Sequence, residues 1–452
     1  MYHFCIITIR NIACKESGSM NLEHFIAKRI SFSSRKSFTG IIVKIAIAAI
    51  ALSLSIMIIT TSVITGFKRE ISEKIVAFWG DIHINDSNIS RSFEQIPIDN
   101  ADELIVSLDS LRYIEYEDTR RVFGIPIEGK RVMKRTKGGI KSVQGTIMAP
   151  GLLRTADDFN GIILKGIGED FDWDRLKDYL VEGDIIEFQD SAASDDILIS
   201  KHIARKLNIN LGQKLIVSFI KDREHIKRRF AVKGIYNTGL EEYDSKIAMI
   251  DIREIRQILG WGKEQVGNIE ILVDNKDDID ILSEYIYYEE LPANLFSTTI
   301  EEKLPNIFEW LKLQDINEKI ILALMVIVGI INMITVLLIL ILERSKMIGV
   351  LKSLGANNWQ VRKIFLYNAG YIILFGLTIG NILALAFCYL QKKYGLISLD
   401  EESYYLSVAP IDVDFWSVIF INIGCFVVIL SVMILPTLLI SWIHPIKVLR
   451  FE

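Results

Sequence analysis

Cysteine, histidine clusters and a usable nucleotide loop are what this chain lacks. Four of its 452 residues are cysteines (Cys5, Cys14, Cys388 and Cys425), and none lies between residues 15 and 387. That long middle can hold no internal disulfide and no thiolate-built zinc site. The six histidines, His3, His24, His83, His202, His225 and His444, are scattered and form no H-E-x-x-H pair. No serine or cysteine nucleophile motif occurs either, so hydrolytic and metal-dependent catalysis find no support. One segment, Gly124-Ile125-Pro126-Ile127-Glu128-Gly129-Lys130-Arg131, imitates a phosphate-binding loop. It ends in arginine where Ser or Thr must ligand Mg²⁺, and Pro126 also argues against that reading. No catalytic residue, metal or bound cofactor is therefore expected of this chain. Nucleic acid is excluded too, because the basic run 221–229 is broken by Asp222 and Glu224 and reads as a solvated hairpin flank.

Long apolar runs, by contrast, dominate. Half of the residues are hydrophobic and the mean hydropathy is +0.32, yet 24% are charged. Four runs reach the roughly 20 residues a helix needs to cross a bilayer. They predict transmembrane helices at residues 41–64, 317–342, 364–390 and 414–441. Charge is sorted by region: residues 66–315 carry 34 Lys and Arg against 46 Asp and Glu, whereas the remainder is net basic. The excess of cations in the 343–363 loop and in the 442–452 tail places both inside, and the acidic middle outside. The expected fold is an α-helical membrane protein with four transmembrane helices and a large α+β periplasmic domain between helices 1 and 2. That domain would cover residues 65–316, room enough for two subdomains, and 391–413 would be a short periplasmic loop.

Within the spans, small and polar residues mark contact faces, since membrane helices associate by close packing. Ala46, Ala49 and Ser53 line one side of the first span, as bundle packing or as the wall of a lateral gate. Gly329 and Asn332 do so in the second. Gly376-Leu377-Thr378-Ile379-Gly380, flanked by Asn368 and Asn381, marks the third, and Pro436 predicts a kink in the fourth. Residues 66–77 read as a helix continuing out of the first span. The exported middle shows short strands at 81–85, 140–148, 161–165, 197–199, 214–220, 229–235, 246–250 and 268–273. Helices are expected at 201–207, 253–259 and 279–288.

The most informative stretch is Glu343-Arg344-Ser345-Lys346-Met347-Ile348-Gly349-Val350-Leu351-Lys352-Ser353-Leu354-Gly355-Ala356. Met347, Ile348, Val350, Leu351 and Leu354 recur at helical spacing, and Gly355 is a natural C-cap, so the loop predicts a short amphipathic helix. A second stretch, Gly234-Ile235-Tyr236-Asn237-Thr238-Gly239-Leu240-Glu241-Glu242-Tyr243-Asp244, reads as a strand, a glycine turn and a solvated acidic loop. Its three acids have no His or Cys nearby with which to build a metal site.

The first stretch resembles the cytoplasmic loop of the FtsX/MacB permease family of ABC transporters, and the second resembles the LolC/LolE lipoprotein-releasing branch. Met347 stands where the family usually has an acid. The likeness covers most of residues 21–452 and is weakest across 86–195. It implies that Glu343, Arg344, Lys346, Met347, Ile348, Gly349, Leu351, Lys352, Leu354, Gly355 and Ala356 form a coupling helix that docks on a separate ATPase subunit. It further implies that ATP and Mg²⁺ bind that LolD-like partner, and that a second permease copy completes the transporter. Lipoprotein would be drawn from the outer leaflet of a bacterial inner membrane and passed to a LolA-like periplasmic carrier. Because family-like sequence begins after Met20, residues 1–19 are read as a non-native or dispensable extension, and 20–40 as a cytoplasmic amphipathic segment. The alternative is a MacB-like or FtsX-like mechanotransmission permease with another substrate. A fused ATPase domain or a much smaller exported domain would mark those cases. A membrane-tethered enzyme would need a convergent acid-base or metal constellation in residues 66–315, and the sequence supplies none.

Overall fold

The computed structural model describes residues 38–87, 95–122, 125–155, 158–189, 192–221, 224–400 and 404–442. The extension 1–19, the Met20 start, the segment 20–37 and the tail cations His444, Lys447 and Arg450 lie outside the described residues. The chain divides into two compact units, one with the long apolar helices and one made of Arg69–Trp310 with Leu399–Ser407.

The helical unit is built from α1 (Phe38–Trp79), and from further long helices that follow the exported strands. Among the described residues, four helices are long and apolar enough to cross a membrane. α1 is one uninterrupted helix of 42 residues. It outruns its apolar section because Lys68, Arg69, Glu70, Glu73 and Lys74 are themselves good helix formers.

In the exported unit, β1 (Ile82–Asp86) follows α1 at once, and α2 (Ala101–Asp109) buries Ala101 and Leu108 in the core. Next come β2 (Glu115–Val122) and β3 (Ile125–Arg135), which pair only with each other. The remaining strands are β4 (Ile140–Arg154), β5 (Phe159–Ile167), β6 (Leu180–Gly183), β7 (Asp196–Ser200), β8 (Lys214–Lys221), β9 (Glu224–Tyr236), β10 (Ile247–Asp251), β11 (Asn268–Val273) and β12 (Leu295–Thr299). Short helices α3 (Lys201–Lys206), α4 (Ile252–Leu259) and α5 (Ile279–Tyr285) connect them.

The long strand β4 serves two sheets. Its first half pairs with β11 in the antiparallel array β12-β1-β11-β4. Its second half pairs with β5 and β8, and the path β4-β5-β10-β7-β9-β8 returns to β4, closing a ring of six strands. Closure leaves those six strands no free edge to pair with another chain. One continuous apolar cluster, including Ile82, Ile84, Ile147, Leu164, Ile199, Phe230, Ile250 and Ile271, fills the interior.

After β12 the chain enters α6 (Pro305–Glu343), α7 (Ser345–Ser353), α8 (Asn358–Tyr394) and α9 (Phe415–Val432). Pro305 opens α6, at the first helical position that tolerates a missing N–H. The helix therefore begins at Pro305 rather than at 317, its polar first turns continuing the apolar section. Asp414 caps α9 by accepting from Ser417 N at 2.8 Å. The fourth span breaks at Met433, near Pro436, whose ring cannot donate to the carbonyl four residues earlier.

Candidate functional site

Between α6 and α8 the chain makes a joint whose geometry is set by its own side chains. α7 ends in a Schellman motif: Ala356 N donates to Leu351 O at 3.0 Å and Gly355 N to Lys352 O at 3.1 Å. Gly355 has φ +96° with open space around it, so glycine is there for the left-handed turn. Asn357 then starts α8 in a capping box, accepting from Gln360 N at 2.8 Å and donating its N–H to Gln360 Oε1 at 2.9 Å.

The helix has two faces. Ile348 and Gly349 are buried, and Met347, Leu351 and Ala356 pack against the core of the long helices. Glu343, Lys346, Ser353 and Gly355 are exposed, as are Val350 at 45% and Leu354 at 78%. Arg344, at the break between α6 and α7, is half-buried. The apolar spacing of this helix leaves Lys352 for its wet face. The structure instead has Lys352 Nζ donating to Ile440 O at 2.6 Å, while Arg362 Nη2 donates to Ser441 Oγ at 2.6 Å. A periodic stripe cannot say whether its own bundle or a partner covers it, which is why the apolar residues divide between two faces. Val350 and Leu354, with half-exposed Trp359 beyond the turn, are the apolar groups left facing outward.

The small residues of the spans are placed as follows. Ala46 and Ser53 are buried and Ala49 is half-buried. A Cβ at Gly376 would meet Ile50 Cγ2 at 2.7 Å, and one at Gly380 would meet Ala51 O at 2.8 Å, so these glycines sit against α1. Ser55 Oγ donates to Gly380 O across that contact at 2.9 Å. Gly329 faces Ile429 of α9, and Asn332 is half-buried. Asn381 and Asn422 exchange side-chain hydrogen bonds at 2.8 and 3.0 Å, joining α8 to α9.

The exported acidic stretch is not simply a solvated loop. Glu241 and Glu242 are exposed or half-buried, but Asp244 is buried at the end of the helical turn Glu241–Asp244. Its Oδ2 accepts from Thr238 N and Gly239 N, both at 3.1 Å, and its Oδ1 accepts from Thr238 Oγ1 at 2.7 Å. Gly239 takes φ +73° to turn its N–H toward that carboxylate. Burial pushes the Asp244 carboxyl up to about 6 despite those bonds. Tyr236 is buried and donates to Ile247 O at 2.7 Å, and Tyr243 stacks edgewise on Trp79.

A second buried polar group lies where α1 ends, and sequence reasoning missed it. Thr298, His83, Glu270 and Gln144 stand directly opposite one another on adjacent strands. Lys165 of β5 is fully buried, and its Nζ contacts Glu270 Oε2 at 2.8 Å and donates to Phe78 O at 2.5 Å. Gln144 Nε2 donates to Glu270 Oε2 at 3.0 Å, and Asn268 Nδ2 to Glu270 Oε1 at 3.3 Å. Lys303 Nζ and Asn268 Nδ2 both donate to His83 Nδ1, at 3.0 and 3.3 Å, which puts the imidazole proton on Nε2. Burial, then the charges of Lys303 and Lys165, hold His83 well below the usual histidine range, so it stays neutral. The alternation His83-Ile84-Asn85 and Asn268-Ile269-Glu270 is legible as strand, but alternation alone does not say what covers the polar face.

Long apolar helices, with a strand-rich domain inserted after the first of them, define a multi-pass membrane protein. Residues 45–286 match the MacB-like periplasmic core domain, and residues 319–445 match the FtsX-like permease C-terminal region. The chain belongs to this FtsX/MacB permease family. It is similar to the lipoprotein-releasing system transmembrane protein LolC of Neisseria meningitidis serogroup B, at 23% identity over 96% of this chain and 100% of that protein. It is also similar to LolE of Haemophilus influenzae, at 19% identity over 95% and 99%. The extracellular domain of the noncanonic ABC-type transporter YknZ from Gram-positive bacteria aligns at TM-score 0.30 and 14% identity, covering 48% of this chain and 98% of that one.

Proposed function

We propose that this chain is the permease subunit of a lipoprotein-releasing ABC transporter in a bacterial inner membrane, with both termini cytoplasmic. A separate LolD-like subunit binds ATP and Mg²⁺, and a second permease copy, identical or paralogous, completes the transporter. Closure of the ATPase moves α7, and the long helices carry that movement outward. Lipoprotein then leaves the outer leaflet for a LolA-like carrier. The observation that supports this reading is that similarity to lipoprotein-releasing permeases runs through the exported domain and the joint alike, over nearly the whole chain. The joint supports it further, because Leu354 and, in part, Val350 are left exposed by the described residues.

Replacing Leu354 with Asp tests the coupling step. A carboxylate pressed into an apolar groove without a partner costs several kcal/mol. At about 1.4 kcal/mol per factor of ten, ATPase docking should fall by about two orders of magnitude or more. The expected result is loss of the co-purifying ATPase and retention of lipoproteins in the inner membrane, at unchanged abundance of the permease. Lys392→Ala is the matched control, because Lys392 is an exposed cation in the last turn of α8, outside the joint. If Leu354→Asp keeps its ATPase and releases lipoprotein at the wild-type rate, the coupling reading is wrong.

A further inference from the structure

The chain enters the sheet through β1 and leaves it through β12 at one place. α1 ends at Phe78 and Trp79, and β1 begins three residues later. β12 ends at Thr299, the turn Ile300–Lys303 follows, and α6 starts at Pro305. Ile82 stands opposite Thr299, and Ile300 N donates to Asp81 O at 2.8 Å. The buried polar group lies on this junction. Lys165 supplies the cation that the end of α1 lacks, since no basic residue occupies its last turn. Its ammonium also lies 5.1 Å from the Phe78 ring centroid and 5.2 Å from that of Trp79. From the other side Lys303 reaches His83 and lies 4.6 Å from the centroid of the same indole. Glu270, on the strand beside β1, is held by Lys165, Gln144, Thr146 and Asn268.

We propose that Lys165 is a positioning residue, the centre of a buried latch that ties the outgoing end of α1 and the incoming end of α6 to one sheet. Movement of either helix end is thereby carried into β1, β11 and β12 rather than absorbed at a loose joint. Only the source of that movement, ATP hydrolysis on a partner, rests on the permease reading. A lone buried charge is strongly destabilising, whereas neutral replacement of both members of a buried pair is commonly tolerated. The informative change is therefore the double variant Lys165→Met with Glu270→Gln.

The full chain, assembled in lipid nanodiscs with its second permease copy and its ATPase, is followed by amide hydrogen exchange at rest and with ATP plus vanadate. In the wild type, the nucleotide should change exchange in β1, β11 and β12 by at least tenfold. In the double variant the thermal midpoint and ATPase rate should persist, the response should stop at Trp79 and Leu304, and lipoprotein released per ATP should fall at least tenfold. A merely structural role would lower the midpoint and leave the response of the folded fraction intact. The proposal is overturned if the variant sheet responds as the wild type does, or if the wild-type sheet does not respond at all. If the wild type releases no lipoprotein while its sheet responds to ATP, the functional reading fails and the latch stands. Should the double variant fail to fold, Lys303→Met, which cuts only the α6 side, carries the same exchange measurement.

Discussion

Asp244 closes its loop with three accepted hydrogen bonds in a place shut off from water. Truncation to alanine leaves three buried donors without a partner, and each such loss costs about 1–3 kcal/mol. Asp244→Ala should therefore unfold the exported unit at markedly lower temperature. Asparagine keeps an oxygen for the backbone donors and an amide for the Thr238 hydroxyl, without a charge to bury. Asp244→Asn should be nearly neutral at pH 7. The acid also predicts a pH dependence. Its folded value, about 6, lies above the ordinary value of 3.8, so the folded state holds this proton more tightly. The contribution is complete below about pH 4 and is lost as pH rises through about 6. Thermal midpoints measured from pH 4 to 7 should fall across that window in the wild type, and this component should vanish in Asp244→Asn. A slope retained by the variant would assign the titration to another group. In the sequence, Thr238, Gly239 and Asp244 are legible as turn and acid, but the burial of Asp244 brings in Ser200 of β7, whose Oγ donates to Asp244 O from more than forty residues away.

Among the elements, the contact between α1 and α8 leaves no room for a side chain. A Cβ at Gly380 would lie 2.8 Å from the backbone oxygen of Ala51, which cannot swing aside. Gly380→Leu should cost at least the 1–3 kcal/mol typical of overpacking. The measurement is monodisperse yield in detergent, expected to drop sharply. Gly424→Ala, where nothing lies within 4 Å, should be silent. The long helices were legible because apolar length and small-residue spacing depend on local sequence alone. Strand β11 was read with its observed bounds, and β7 and β10 within a residue or two, because alternation and turn residues frame them. The β2–β3 hairpin was not read. Glu115-Tyr116-Glu117-Asp118-Thr119-Arg120-Arg121 has no apolar period, and its pairing partner overlaps the segment that mimics a phosphate loop. In α7 the amphipathic pattern was visible, but which apolar residues turn inward was settled by α6, α8 and the fourth span. Those neighbours are distant in sequence.

For the whole molecule, the charge distribution predicts opposite sides of the membrane for the joint and the exported unit. A tag inserted at Asn357 should resist protease in intact spheroplasts, and one at Asp195 should be cleaved. Cleavage of the Asn357 tag would reverse the layout. The closed ring of six strands was beyond sequence reading, since it depends on β4 serving two sheets. The placement of both helix connections at the same end of β1 and β12 depends likewise on an antiparallel register invisible locally. That register ties the ends of the two connections to one ladder, Ile82 to Asp86 against Thr299 to Leu295. An axial offset between β1 and β12 would load all five of those pairs in shear at once rather than open them one rung at a time.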